Sequence, residues 1–451
     1  MSLYPQEAGR LSAAGKLIDN RYPRFGPNKR RETIRLLYEI SLKEGIAPEA
    51  VLPASSPASF AALKDYLVRR RYPLAARSGR PFYPYLPRVD LPEDEVFTPG
   101  SFRFSPGEIY IESAAAGSSL AALCRERFPE AVFEEIPSLK DFLSGRPRAG
   151  RADYNRRGET LFIIAEQYDF FKPCPCTRGA VRCGYRVCNL GFGCLFECRY
   201  CFLPGYVNTP GIILPANLDR FFERFSAAPQ RRSGRTLRLG TGEFTDSLHL
   251  DRLTGYSIPL VEFFRDRKDV LFEFKTKSDE ISNLLRADPR GNIVAAWSLN
   301  TERMAEENEH YAASLDRRLA AAARAAEAGY RIAFHFDPIF FYPGWEREYG
   351  ETVDRALAAV GPEQISWISL GTLRFPPALK KTIEARFPGS DILNAELIPG
   401  FDGKLRYPAF LRARIYRLLI DRILARRRGV PLYLCMESRE IWEELKLPFP
   451  F

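Results

Sequence analysis

The chain has 451 residues, a formal charge of +10 and nine cysteines. That length allows a large barrel plus one or two smaller units. No apolar run approaches the ~18 uninterrupted residues of a membrane span, and Met1-Ser2-Leu3-Tyr4-Pro5-Gln6 lacks the basic-then-apolar order of a signal peptide. A membrane protein is therefore not expected. Seven of the nine cysteines fall between Cys174 and Cys201, which suits a metal site in a reducing cytoplasm better than a dispersed disulfide framework.

In chain order, residues 1–104 read as a mainly helical accessory unit. Thr33–Lys43 and Ser59–Arg70 carry helical apolar spacing. The Pro- and Tyr-rich passage Arg80–Pro87 cannot be regular helix and reads as a linker or strap. Residues 105–172 read as a small α/β layer, with strands at Glu108–Glu112, Ala131–Ile136 and Thr160–Ala165 and a helix at Leu120–Arg127.

Residues 173–400 alternate strand and helix at the spacing of parallel βα units. Tyr185–Asn189 is the entry strand, followed by Thr236–Gly240, Val270–Lys275, Ile293–Ser298, Tyr330–Phe336 and Gln364–Leu370. Helices are expected at Asp219–Ser226, Arg252–Arg265, Leu315–Ala328 and Glu351–Ala359. These six units predict an α/β fold with an open partial (β/α)6 barrel, short of the closed (β/α)8 form. Residues 401–451 add a basic helix, Phe410–Arg428, and an apolar strand, Pro431–Cys435.

Within the barrel sits Gly193-Cys194-Leu195-Phe196-Glu197-Cys198-Arg199-Tyr200-Cys201-Phe202, a C-x3-C-x2-C array. Three is the informative number, because a structural zinc and a closed iron–sulfur cluster each want four protein ligands. A [4Fe-4S] cubane on Cys194, Cys198 and Cys201 would keep one iron open to an external ligand. Cys174, Cys176, Cys183 and Cys188 precede it closely and could hold a second metal site or be buried and incidental thiols. Cys124 and Cys435 read as structural.

Reactive groups in α/β barrels lie at the C-terminal strand ends. There stand Gly240-Thr241-Gly242-Glu243, whose glycines permit close backbone approach and whose carboxylate suits an ammonium. Further strand ends carry Lys275, suited to a carboxylate, together with Ser298, Asn300 and Asp337, where Asn and Asp suit ribose hydroxyls. His335 alternates with Phe334 and Phe336, so it faces the barrel lumen or sits as a satisfied core histidine. The basic runs Lys29–Arg31, Arg69–Arg71, Arg231-Arg232 and Arg426–Arg428 are each read as solvated surface and together as a candidate nucleic-acid groove.

The cysteine array, with an aromatic before its last cysteine, resembles that of radical S-adenosylmethionine (SAM) enzymes. From about Glu108 onward the chain resembles the spore photoproduct lyase-like family of that superfamily. The resemblance runs through Ile109–Glu112, Thr160–Ala165, Phe171-Lys172, Thr245-Asp246, Lys275, Ser298–Asn300, Asp337–Ile339, Gly344–Glu346 and Arg374-Phe375. It implies a radical SAM barrel in which Tyr200 packs near the adenine of SAM and Gly240–Glu243 binds its amino group. It also implies reductive cleavage of SAM to a 5′-deoxyadenosyl radical, an electron donor such as a flavodoxin or ferredoxin, and a substrate in DNA or nucleotides.

Two departures stand out. Where the lyase has a cysteine before the Thr-Asp pair and a tyrosine after the third cluster cysteine, this chain has Phe244 and Phe202. A protein or small-metabolite substrate, or a metal-cluster nucleic-acid-binding module, are the alternative readings.

Overall fold

The computed structural model describes residues 4–449 apart from 56, 58, 101–102, 168–169, 207 and 228–235, so the Arg231-Arg232 run lies outside the described residues. The chain divides into two compact units. One comprises Met1–Gly100 with Phe340–Tyr342 and Thr372–Arg412; the other holds the rest.

The first unit is built on helices Tyr4–Arg21, Pro27–Glu44, Phe60–Arg71 and Pro377–Arg386. Local signals set their ends. Pro27 occupies the first turn, Gly45 closes the same helix in the left-handed region at φ 69°, and the Ser59 hydroxyl accepts from the amide of Ala62. Ala14, Ile18, Leu36, Leu37, Ile40, Leu63 and Leu67 form the core, and Phe82 and Leu86 of the irregular Pro-rich passage pack against it. A buried ion cluster ties the later segment in. Arg35 reaches Glu384 at 2.5 Å and Glu39 at 2.5 Å, Lys380 reaches Glu39 at 2.6 Å, and Arg71 reaches it at 2.8 Å. Arg71 also donates to the carbonyls of Leu393, Asn394 and Ala395.

The second unit contains two sheets. The smaller has four parallel strands in the order Val132–Ile136, Glu108–Glu112, Thr160–Ile164, Ile212–Pro215. Its last strand is one that the short run between prolines did not announce. The larger sheet has eight strands, and seven follow the expected order: Arg186–Cys188, Leu237–Thr241, Val270–Thr276, Ile293–Ser298, Arg331–Ile339, Ile365–Thr372 and the C-terminal Leu432–Leu434. Phe171–Pro173 adds an antiparallel edge. The sheet curls into a half-barrel, the partial radical SAM barrel that the βα spacing and the resemblance implied.

Parallel registers such as Cys188↔Thr241, Lys275↔Ala296 and Ser298↔His335 bring the strand ends to one rim. No helix among the described residues is long and apolar enough to cross a membrane.

Candidate cluster and cofactor site

The cysteine array lies on the connection that leaves the large sheet after Cys188 and enters the small sheet at Ile212. Its start is fixed by backbone. The Gly193 amide donates to the Phe244 carbonyl at 2.9 Å, and the Thr245 hydroxyl donates to the Gly193 carbonyl at 3.2 Å. Gly193 sits at φ +88°, and a Cβ there would stand 2.9 Å from Ile212 Cδ1, so only glycine serves.

Two buried ionic groups hold the rest of the loop. Arg157 donates to the carbonyls of Cys194 and Phe196 and pairs with Glu197. On the other side, Glu197–Cys198 forms an antiparallel ribbon with Glu309–His310, in the register Cys198↔Glu309. The enclosed Glu309 carboxylate accepts from Asn300 at 2.9 Å and from the Tyr200 hydroxyl, and pairs with Arg318 at 2.5 Å. The Tyr349 hydroxyl donates to the Asn300 oxygen at 2.7 Å. Finally, the Cys201 amide donates to the Cys198 carbonyl at 2.9 Å.

Burial, with Asp246 and Cys201 nearby, pushes the Cys194 thiol up to about 12, and burial lifts Cys198 well above its ordinary value. A naked thiolate is therefore penalised here, and a metal that takes the proton's place relieves that penalty. Among the described residues no three His, Cys, Asp or Glu side chains approach closely enough to hold one metal ion. In a cubane each thiolate meets a different iron. Three soft thiols on a pinned loop therefore fit a cluster better than a lone zinc.

The strand-end residues are positioned as follows. Gly240 is glycine because the Tyr185 phenol occupies its Cβ position; a Cβ there would stand 1.8 Å from the oxygen. Close packing against Tyr185 is therefore one reason for glycine at this position. The Thr241 hydroxyl bonds Ser247, and Gly242 (φ +99°) donates to the Cys188 carbonyl at 3.2 Å. Glu243 already has an ammonium partner, Lys172 at 3.0 Å, whose Nζ lies 4.7 Å from the Phe244 ring centroid. Phe244 in turn stacks on Phe192 at 5.3 Å.

The Lys275 amide donates to Ser247 Oγ at 3.0 Å, while its charge acts on Glu273 and His335. Lys277, two residues on, is the lysine beside the cysteine loop, with Nζ 5.8 Å from the Tyr200 ring centroid. Ser298 is buried and its carbonyl accepts from Arg318 at 2.9 Å. Both ends of the Asn300 amide are used within the protein, and Asp337 is half-buried on its strand.

Below this rim His335 bridges Glu273 at 2.6 Å and Ser369 at 2.6 Å, so it both faces the lumen and is satisfied there. Burial and Lys275 lower the imidazole's pKa, although Glu273 opposes them. Burial works against the Glu273 carboxylate, but His335, Lys275 and Arg238 outweigh it and bring it to about 2.

Asp246 shapes the rim: its carboxylate accepts from the amides of Leu248, His249 and Lys277 and from the Thr276 hydroxyl. Sequence reasoning overlooked Arg157, Glu197, Glu309 and Arg318 as parts of the site. Each is an ordinary charged residue in a polar stretch, and no spacing signals it.

The additional cysteines regroup. The Cys176 amide donates to the Cys174 carbonyl at 2.7 Å, and the Cys176 thiol, burial, Cys435 and Cys183 together push the Cys174 thiol up. Cys188 is not among them, and burial alone acts on its thiol. The Leu432–Leu434 strand and the Ala180↔Ser438 bridge bring the C-terminal segment alongside, but a second metal site at Cys174, Cys176, Cys183 and Cys188 finds no support, since no such metal-holding group forms among the described residues.

The family description "Spore photoproduct lyase" matches residues 180–397. The chain is 28% identical over 291 residues to a spore photoproduct lyase of Geobacillus sp. (strain Y412MC61), covering 63% of this chain and 83% of that one. The Bacillus subtilis (strain 168) lyase is 26% identical over 292 residues, with the same coverage. The alignment to the Clostridium acetobutylicum lyase, at 26% identity over 201 residues, spans 44% of this chain and only 60% of that protein. Among solved structures, a mutant spore photoproduct lyase with bound AdoMet and dinucleoside spore photoproduct superposes at TM-score 0.61 and 25% identity, over 73% of this chain and 99% of that one. Another mutant lyase reaches TM-score 0.63 with the same identity and coverage.

Proposed function

We propose that this chain is a radical SAM enzyme of the spore photoproduct lyase-like family and that Cys194, Cys198 and Cys201 hold a [4Fe-4S] cluster with one iron open to SAM. The observation that carries this reading is the loop itself: three thiols, Cys198 buried and Cys194 and Cys201 half-buried, with both flanks clamped by the Arg157–Glu197 and Arg318–Glu309 pairs. When bound, cluster and SAM supply a 5′-deoxyadenosyl radical for hydrogen abstraction.

This chain's residues bind and orient. The half-barrel rim presents the Gly240–Glu243 turn, Lys275, Ser298 and Asp337 to the cofactor. The Tyr200 ring is held by its hydroxyl on Glu309, ready to pack against adenine. Asn300 serves by orienting Glu309 and Tyr349, and Glu243 meets a ligand ammonium only in competition with Lys172. The closed core beneath the rim, Glu273–His335–Ser369, limits water below the reacting centre.

The substrate we place first is a modified base in DNA or a nucleotide, as the names of the matched lyases suggest. Phenyl rings at 202 and 244 cannot give up a hydrogen as a phenol or thiol does, so the product radical is quenched by a route different from that implied for the lyase. A one-electron carrier of the flavodoxin or ferredoxin type would supply the reductant.

Anaerobic reconstitution with iron and sulfide, then dithionite and SAM, tests the reading. We expect 5′-deoxyadenosine from the wild-type chain and none from Cys198→Ala; no product from the wild-type chain contradicts it.

A second reading, a protein or small-metabolite substrate, is favoured by how the basic runs are used. Arg71 is buried on Glu39, Arg30 pairs with Asp19, and Arg426 with Asp354. Affinity for duplex DNA that falls steeply with salt supports the first substrate class, and absence of binding supports the second.

A further inference from the structure

The cysteine loop lies among six buried or half-buried charges, Asp246 included. Arg157 is matched by Glu197, and Arg318 by Glu309 at 2.5 Å. Lys277 is the third cation, and Glu309 and Asp246 both act on it. Its backbone is fixed from both sides, because its amide donates to Asp246 at 2.8 Å and its carbonyl accepts from Ala313 at 3.0 Å. Its Nζ stands 5.8 Å from the centroid of the Tyr200 ring, one residue before the third cluster cysteine. The charges that act on it are Glu309 and Asp246 on the negative side and Arg318 on the positive, together with the Cys198 thiol itself. Glu309 sits opposite Cys198 in the ribbon. A charge in so enclosed a place acts several-fold more strongly than one in water.

We propose that Lys277 sets the reduction potential of the cluster on Cys194, Cys198 and Cys201, and that Glu309 positions and partly offsets its charge. The inference rests on the cluster reading above. Reduction adds one negative charge to the centre, so a cation held against the cysteine loop favours the reduced state and raises the potential, and its acidic neighbours temper that effect. Lys277 acts through the cluster's surroundings and is a positioning residue. Nothing in the sequence separates it from Lys275, whose charge acts on Glu273 and His335 instead.

The test is an anaerobic redox titration followed by EPR on the reconstituted full-length chain, with iron and sulfide measured for every variant. Lys277→Met should lower the midpoint, Lys277→Arg should hold it near wild type, and Glu309→Gln should raise it. Arg317→Gln, whose guanidinium pairs with Asp279 at the exposed surface, should leave it unchanged. Opposite shifts in the Met and Gln variants support the proposal. Wild-type midpoints in variants that keep their iron and sulfide overturn it. If Lys277→Met loses the cluster, the Glu309→Gln shift decides alone. A wild-type chain that takes up no iron and sulfide overturns the cluster reading itself, which separates the two failures.

Discussion

Gly240 shows how a single residue can be legible in kind while the packing that demands it is not. A glycine at a barrel strand end suggested close approach to a ligand, yet its Cβ position is filled by the Tyr185 oxygen. Gly240→Ala should therefore destabilise the chain by about 1–3 kcal/mol through overpacking. Adding Tyr185→Phe should recover part of that loss, as a non-additive pair of melting shifts would reveal.

The same lumen gives a pH dependence. Glu273 has its pKa lowered to about 2 from an ordinary 4.5, so it contributes stability above pH 4.5 that is lost as the pH falls toward 2. The shift corresponds to about 3 kcal/mol. His335 is lowered from 6.5, so below that pH the unfolded chain binds a proton that the native chain resists, and stability again falls on acidification. Denaturation midpoints measured from pH 7 downward should decline from about 6.5. Glu273→Gln should flatten the profile below pH 4.5, the carboxylate's ordinary value.

Within the site, the cysteines were legible because thiol spacing is rare and chemically specific. The roles of Glu243 and Asn300 were not, since their partners Lys172 and Tyr349 lie far away in sequence.

Elements were read more reliably than their environments. The six barrel strands emerge from alternation alone, as six of the eight strands of the large sheet confirm. Several elements escaped, and two show why. In Tyr4–Arg21 the apolar stripe is thin and interrupted by Gly9 and Gly15. In Ile212–Pro215 a four-residue apolar run is too short to distinguish strand from loop, and its pairing partner is the distant Leu161–Ile164 segment.

The cysteine loop depends on Arg157 as an element, because one guanidinium serves two loop carbonyls and Glu197. Arg157→Ala leaves Glu197 buried without its partner, at a cost of about 3–5 kcal/mol. We expect a lower melting temperature and reduced iron uptake after reconstitution. Unchanged iron content would show that the loop holds its shape without this clamp.

At the scale of the whole molecule, the sequence set the N-terminal region apart as accessory, while its compact unit also includes residues 372–412. The reason is electrostatic and invisible in local pattern: Arg35, Glu39 and Arg71 meet Lys380, Glu384 and the 393–395 carbonyls. A chain lacking residues 1–100 would strand Lys380 and Glu384 without their buried partners. It should express as an aggregating or protease-sensitive product rather than an independent barrel, and a soluble truncated chain with wild-type melting behaviour would contradict this. The same use of arginine explains why a charge of +10 is a weak guide to substrate.

EPR of the reduced, reconstituted chain tests directly whether the three thiols hold a cluster with one iron open to SAM. The account predicts a cluster signal that changes when SAM is added and is lost in each of Cys194→Ala, Cys198→Ala and Cys201→Ala. A signal indifferent to SAM, or one that survives loss of any of these cysteines, would contradict it.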